Sequence, residues 1–280
     1  MEKIILAGDG HGCLSAYLGI KNSFQKIEII TNTKEIFANI KKSQDIFIED
    51  PFQSNANIFL SAGYKPLIKQ DLIDTKKCLN IHYALLPKYR GMHPVVWGIL
   101  DNEEYLGWTL HEIDIGVDSG PLVYQYYSKN DGIRTAWSYV LEFDKNIEEN
   151  LSWIMQSYLN KKLLPKEQDH KKAIWGFKRN LDDCRIDFSL TCDQIKNLFR
   201  VLNPPYPYPF IVYKDKKLSV TDYDLFQSSH SSLTLGRVAN IDNIGAYIRI
   251  KDGYLIVKKL IDQDGKLINY YDNLKIGVRL

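Results

Sequence analysis

Asn80 and His82 lie two residues apart in Leu79-Asn80-Ile81-His82, a short run with strand character. Residues two apart on a strand project from the same face, so the pair presents an amide and an imidazole together. The amide can donate to a carbonyl oxygen that becomes an oxyanion, and the imidazole can take or give a proton near neutrality. The next segment, Leu85-Leu86-Pro87-Lys88-Tyr89-Arg90-Gly91-Met92-His93-Pro94, adds two cations, a tyrosine and a second histidine. Lys88 and Arg90 suit a phosphate or carboxylate, the arginine bidentately. Asp118, held in Gly116-Val117-Asp118-Ser119-Gly120, is a partner able to orient or polarise His82. Alone, that loop reads equally as a turn in which the aspartate caps its own backbone. An isolated N-x-H reads as two side chains satisfied by local backbone; what argues for a site is the cluster.

A glycine-rich turn, Gly8-Asp9-Gly10-His11-Gly12, offers a second chemistry, because amides at a helix N-terminus attract phosphate. Its spacing departs from G-x-G-x-x-G. The following strand also runs into Thr31-Asn32-Thr33 rather than an acidic residue for a ribose. A tight turn needing positive φ accounts for the glycines as well.

The elements that position these groups alternate. Lys3 to Ala7, Ile27 to Ile30, Asp45 to Ile48, Asn57 to Ala62 and Leu79 to His82 read as strands, and residues 13 to 20 as a helix. That order predicts an α/β fold, a mostly parallel sheet with helices on both faces that binds ligands at the carboxyl ends of its strands. Thr135 to Leu159 reads as a long helix: Val140, Phe143, Ile147, Leu151, Ile154 and Tyr158 recur at spacings of three and four. Pro204-Pro205-Tyr206-Pro207-Tyr208-Pro209 is a stiff junction. Beyond it, Ile211-Val212-Tyr213, Leu218-Ser219-Val220, Ala246 to Ile250 and Tyr254 to Val257 are short runs separated by turn signals, a smaller β-rich domain. The expected division is 1–175 catalytic, 176–209 linker, 210–280 β-rich.

Composition narrows the partners. Thirty-six Lys plus Arg against 34 Asp plus Glu give a net charge of +2, without the basic excess of a nucleic-acid binder. The apolar and charged shares, 45% and 25%, are those of a globular chain rather than a disordered one. No apolar run is long enough to span a bilayer, and Glu2-Lys3-Ile4-Ile5-Leu6-Ala7-Gly8 lacks the features of a signal peptide. Four cysteines (Cys13, Cys78, Cys184, Cys192) with no CxxC pair suit reduced thiols in a cytoplasm.

At the clustered residues the sequence resembles the folate-dependent formyltransferases. The matching pieces are Asn80-Ile81-His82, Leu85-Leu86-Pro87-Lys88-Tyr89-Arg90-Gly91, Thr109-Leu110-His111 and Gly116-Val117-Asp118-Ser119-Gly120-Pro121, with Asp118 following Asn80 by 38 residues as the family pattern requires. Ala84 departs from the family's usual serine, and Trp108 stands where a small aliphatic residue is common, which would narrow that part of the cleft. The resemblance implies a Rossmann-like sheet followed by a smaller OB-like β-domain. It implies transfer of a formyl group from N10-formyltetrahydrofolate, as co-substrate, to an amine, with no metal required. Asn80, His82 and Asp118 would be catalytic. Gly63, Tyr64, Lys65, Pro66, Leu67, His111, Ile113 and Asp114 would hold the folate. Lys88, Tyr89, Arg90, His93 and Trp97 would meet the acceptor.

Among the family's acceptors, a nucleotide-linked amino-deoxysugar fits best. A dTDP-linked 3- or 4-amino-dideoxyhexose is the first expectation and a UDP-linked sugar the second, in O-antigen or other surface glycan synthesis. Residues 205–280 carry only 11 Lys plus Arg against 8 Asp, which disfavours tRNA. The alternative is methionyl-tRNA formyltransferase; a hydrolase using water and a non-catalytic nucleotide-binding module rank lower. The expected partners are then the nucleotide sugar, no nucleic acid, no membrane, and a second copy paired through β-domain edges.

Overall fold

A computed structural model describes residues 3–38, 41–229 and 234–280. The chain forms two compact units. The first is built from residues up to Gly98, Glu103–Asn130 and Ser138–Lys178; the second from Arg179–Leu280 with Ile99–Asn102 and Asp131–Trp137.

The first unit contains β1 (Lys3–Ala7), α1 (Gly10–Ile20), β2 (Lys26–Ile30), β3 (Ile46–Phe47), β4 (Ile58–Ser61), α2 (Gln70–Thr75) and β5 (Lys77–His82), then β6 (Arg90–Gly91), α3 (Pro94–Leu100), β7 (Tyr105–Glu112), β8 (Leu122–Lys129), α4 (Ala136–Leu159) and β9 (Trp175–Gly176). Helices α3 and α4 each lend their first or last residues to the second unit. The main sheet has the order β3-β2-β1-β4-β5-β7-β8. Its first five strands are parallel and the last two antiparallel, confirming the mostly parallel α/β reading. The central parallel strands β1 and β4 are mostly apolar and buried (Ile4, Ile5, Leu6, Ala7, Phe59 and Leu60 have no exposed surface), as a sheet covered on both faces requires.

The β7–β8 hairpin, eight residues in each arm, is an addition to the sequence reading. It pairs against β5 so that Asn80 opposes His111 and His82 opposes Thr109. Trp108 lies on the other face of β7, fully buried, and donates to Asn146 Oδ1 of α4 at 3.1 Å. The expected narrowing of the cleft by Trp108 is therefore wrong: strand alternation carries its ring away from His111.

The glycine turn is also remodelled. Helix α1 begins at Gly10, earlier than expected, and the Gly10 amide donates to Thr33 Oγ1 at 3.1 Å. The Asp9 carboxylate accepts from Asn32 N at 2.7 Å and from Thr31 Oγ1 at 3.2 Å. The turn is thus closed by protein groups. Gly8 is needed because a Cβ there would lie 1.8 Å from the Ala62 carbonyl oxygen.

The second unit contains α5 (Cys192–Val201), β10 (Phe210–Tyr213), β11 (Lys216–Gln227), β12 (Val238–Ile241), β13 (Ala246–Ile250), β14 (Gly253–Ile261), β15 (Leu267–Ile268) and α6 (Tyr270–Asn273). The sheet is antiparallel, in the order β10-β11-β14-β13-β12, with β15 on β14, as the β-rich reading anticipates. All four cysteines are buried and none is disulfide-bonded. Among the described residues no helix is long and apolar enough to cross a membrane.

Candidate active site

The end of β5 and the loop from Ile113 to Gly120 bring Asn80, His82, His111 and Asp118 together. The Asp118 carboxylate is the hub. Its Oδ1 accepts from Asn80 Nδ2 at 3.1 Å and lies 3.4 Å from His111 Nε2. Its Oδ2 accepts from the Gly91 amide at 2.8 Å and lies 3.5 Å from His82 Nδ1. Burial would raise the pKa of this carboxyl, but the polar groups around it, the Gly91 amide among them, outweigh burial and hold it well below the usual range. Asp118 is therefore ionised at neutral pH.

The loop geometry is built for this placement. Asp118 adopts φ +48°, the left-handed region, at a cost of about 1–3 kcal/mol that the four surrounding contacts offset. On one side of it, Gly120 is required because a Cβ would come within 2.1 Å of the Glu112 carbonyl oxygen. The sequence reading of Asp118 as a self-capping turn does not describe the structure, since its carboxylate is directed at β5, β7 and Gly91 instead.

His82 is buried, and its Nε2 lies 2.7 Å from the Tyr89 carbonyl oxygen. A carbonyl only accepts, so Nε2 carries the hydrogen and Nδ1 faces Asp118. Burial lowers the imidazole's proton affinity more than Asp118 raises it. Asp118 does raise the basicity of His82, but burial sets the net direction, and the ring is neutral at pH 7. His111, almost fully buried, donates from Nδ1 to the Glu112 carbonyl at 2.7 Å. Its Nε2 is left to accept from Asn80 Nδ2 at 3.1 Å. Sequence reasoning placed His111 with the folate contacts; the cross-strand register, which a single sequence does not display, places it beside the Asn80 amide as well.

Next to this cluster lies a cleft of about 420 Å³. Tyr64, Lys65, Pro66, Leu67, His111, Ile113 and Asp114 all line it, together with Asn80 and Asp118. Gly63 does not; it turns the chain into the cleft wall with φ +76°. Tyr64 and Ile113 pack from the cleft onto the core around Ile5, Phe59 and Leu72. The rim is apolar and open: Leu67 is 83% exposed and Ile115 73%. Asp114 is partly diverted, its Oδ1 accepting from Ser119 Oγ at 2.6 Å and from the Gly116 amide at 3.1 Å. It braces the Asp118 loop as well as facing the cleft.

The five expected acceptor contacts divide. Lys88 Nζ sits at 2.7 and 2.8 Å from the two Glu103 carboxylate oxygens, and Tyr89 OH donates to the same carboxylate at 2.9 Å. Arg90 is buried, donating from Nη2 to Gln168 Oε1 at 2.7 Å, with His170 Nδ1 at 3.0 Å. These three residues brace their own loop. His93 is exposed with φ +56°, and Trp97 is half-buried with Nε1 donating to the Phe177 carbonyl.

An ionised carboxylate flanked by two histidines and an amide, at the carboxyl end of a parallel strand beside an open cleft, is an arrangement able to move protons and stabilise an oxyanion in an α/β fold. Two family profiles match this chain: "Formyl transferase" over residues 21–134 and "Formyl transferase, C-terminal domain" over residues 179–276. Together they take in more than half of it, and the chain belongs to the formyl transferase family; it is an enzyme of formyl transfer.

The methionyl-tRNA formyltransferase of Clostridium tetani is 24% identical over 206 residues, 73% of this chain and 66% of that protein, so this chain spans about two thirds of that relative. Among solved structures, the N-formyltransferase from Helicobacter canadensis in complex with folinic acid and dTDP-3-aminofucose superposes with a TM-score of 0.68 at 19% identity, covering 92% of this chain and 99% of that one. WlaRD, a sugar 3N-formyl transferase solved in the presence of dTDP and 5-N-formyl-THF, also gives a TM-score of 0.68, at 23% identity over 92% of this chain and 97% of its own.

Proposed function

We propose that this enzyme transfers the formyl group of N10-formyltetrahydrofolate to the amine of a nucleotide-linked amino-deoxysugar, a dTDP-linked sugar first and a UDP-linked one second. The observation that carries the reading is the convergence of Asn80, His82 and Asp118 at the end of a cleft whose walls are Tyr64, Leu67 and Ile113. The cleft suits a folate: an apolar, aromatic wall for a flat ring, exposed apolar rim groups for a ligand to cover, and polar groups both at the reacting end and, as Lys65, Lys69 and Gln70, along the rim.

In this reading the acceptor nitrogen adds its lone pair to the formyl carbon, and negative charge develops on the formyl oxygen. Asn80 Nδ2 stabilises that charge by exchanging one of its present bonds, to His111 or Asp118, for one to the oxyanion. The Asp118–His82 pair takes the proton the nitrogen sheds, and N10 leaves with a proton as the carbon–N10 bond breaks. The products are the formamide and tetrahydrofolate.

The sugar acceptor is supported by the small charge excess of residues 205–280 and by the acceptor and nucleotide named in the two solved relatives. Transfer to methionyl-tRNA is the second reading, favoured by the Clostridium tetani relative. Mass spectrometry after incubation with N10-formyltetrahydrofolate and a panel of dTDP- and UDP-amino sugars tests the proposal. A product 28 Da heavier (one formyl for one hydrogen, a mass ~28 fixed by the group transferred) from one sugar is expected. Absence of product from every sugar, with a salt-sensitive gel shift on tRNA, moves the acceptor to tRNA.

A further inference from the structure

Strand β9 runs beside β6, pairing Arg90 with Trp175 and Gly91 with Gly176. The Arg90 amide donates to the Ile174 carbonyl at 2.8 Å and the Met92 amide to the Gly176 carbonyl at 2.9 Å. This strap is therefore fastened to the loop whose Gly91 amide holds Asp118. It lies close because Gly176 has no side chain: a Cβ there would meet the Met92 carbonyl oxygen at 2.5 Å and Trp97 Cδ1 at 2.8 Å. With Gly176 facing the loop, the alternate residues Trp175 and Phe177 face away from it. They are 54% and 72% exposed. The bond from Trp97 Nε1 to the Phe177 carbonyl, 3.0 Å, fixes the far end of the strap.

Two large aromatic side chains, close together in the chain on hydrogen-bonded backbone, are left in water where a ligand can cover them. Lys178, exposed, follows directly in the chain, and Lys171 is exposed on the approach to the strap. Aromatic faces with cations beside them complement a ligand with a planar ring and a polyanionic link.

We propose that Trp175 and Phe177 are the stacking platform for the base of the nucleotide-linked acceptor, with Lys178 meeting its diphosphate. The proposal rests on the sugar-acceptor reading above. In it, the strap couples base recognition to the loop that fixes Asp118, so a sugar is presented to the catalytic groups by the far end of its own carrier.

The test is steady-state kinetics of wild type, Trp175→Leu with Phe177→Leu, and Trp175→Phe, with titration of tryptophan fluorescence by dTDP and UDP. Both positions are exposed, so the variants keep the core intact. In the double variant the acceptor KM is expected to rise about 5- to 150-fold, the range set by one base–aromatic stack. The KM for the formyl donor stays unchanged, Trp175→Phe behaves nearly as wild type, and quenching by the nucleotide is lost. Wild-type transfer to a nucleotide sugar with an unchanged acceptor KM in the double variant overturns this inference and leaves the acceptor reading standing. No transfer to any nucleotide sugar, with the donor still binding, overturns both.

Discussion

Asn80 and His111 oppose each other across β5 and β7, and between them they settle which way the Asn80 amide points. Because His111 Nδ1 donates to Glu112, Nε2 accepts one Asn80 amide hydrogen at 3.1 Å. Asp118 Oδ1 accepts the other at the same distance. The amide is thus preorganised as a donor before any formyl oxygen arrives, which is where such a group contributes most to rate.

Replacing His111 by Phe keeps a ring of similar size but removes the acceptor. The turnover number is expected to fall about 10²-fold through misplacement of the Asn80 amide. Donor affinity, read by fluorescence titration, should move far less. Unchanged turnover would mean the Asn80 orientation is fixed by Asp118 alone.

Asp118→Asn separates charge from backbone. Asparagine tolerates the left-handed conformation that Asp118 adopts, so the loop should keep its shape. Loss of the ionised hub should lower turnover by about 10²–10⁴-fold. A crystal structure of the variant with the loop in place, together with the kinetics, checks this.

Two histidines give stability opposite pH dependences. His82 is held neutral by burial, so its folded pKa lies below the unfolded value near ~6.5. Its contribution to stability is present above that value and is lost as pH falls below it. His11 is the reverse: its Nδ1 lies 2.5 Å from Asp144 Oδ2, which raises its folded value. Its contribution is full below ~6.5 and fades as pH rises through the raised value. Thermal unfolding from pH 5 to 8 should therefore show His82→Asn flattening the loss on the acid side. His11→Asn should steepen it. Parallel shifts of the two profiles would contradict both assignments.

Gly120→Ala forces a methyl against the Glu112 carbonyl oxygen, whose residue is the strand neighbour of His111. The expected cost is about 1–3 kcal/mol of stability, as for other overpacked sites. Turnover should drop with it, because the shift passes directly into the Asp118 loop. Calorimetry and kinetics on the same preparation test the link; a stable, fully active variant would show the loop to be more pliant than its contacts imply.

That Asn80, His82 and Asp118 belong together was legible in the sequence because their chemistry is written in short local motifs. The parallel strands were legible because burial on both faces leaves unbroken apolar runs such as Lys3 to Ala7. What escaped depended on pairing across long separations. The β7 strand carries Thr109 and His111 for the site inside an otherwise buried run, so neither alternation nor apolar continuity announces it. The partners that Lys88 and Arg90 take within the protein, Glu103 and Gln168, were not legible because they lie 15 and 78 residues away. Trp108 was misjudged for the same reason: its partner Asn146 is on a helix whose position the local sequence does not specify.

The buried thiols give the protein a built-in record of its own opening. Cys13 and Cys78 belong to the first unit and Cys184 and Cys192 to the second. Burial pushes Cys13 up to about 12 and both Cys78 and Cys192 up to about 11, so the reactive thiolate is scarce while the fold is closed. An alkylating reagent at neutral pH will therefore report each unit's transient exposure separately, by which pair of cysteines acquires mass first.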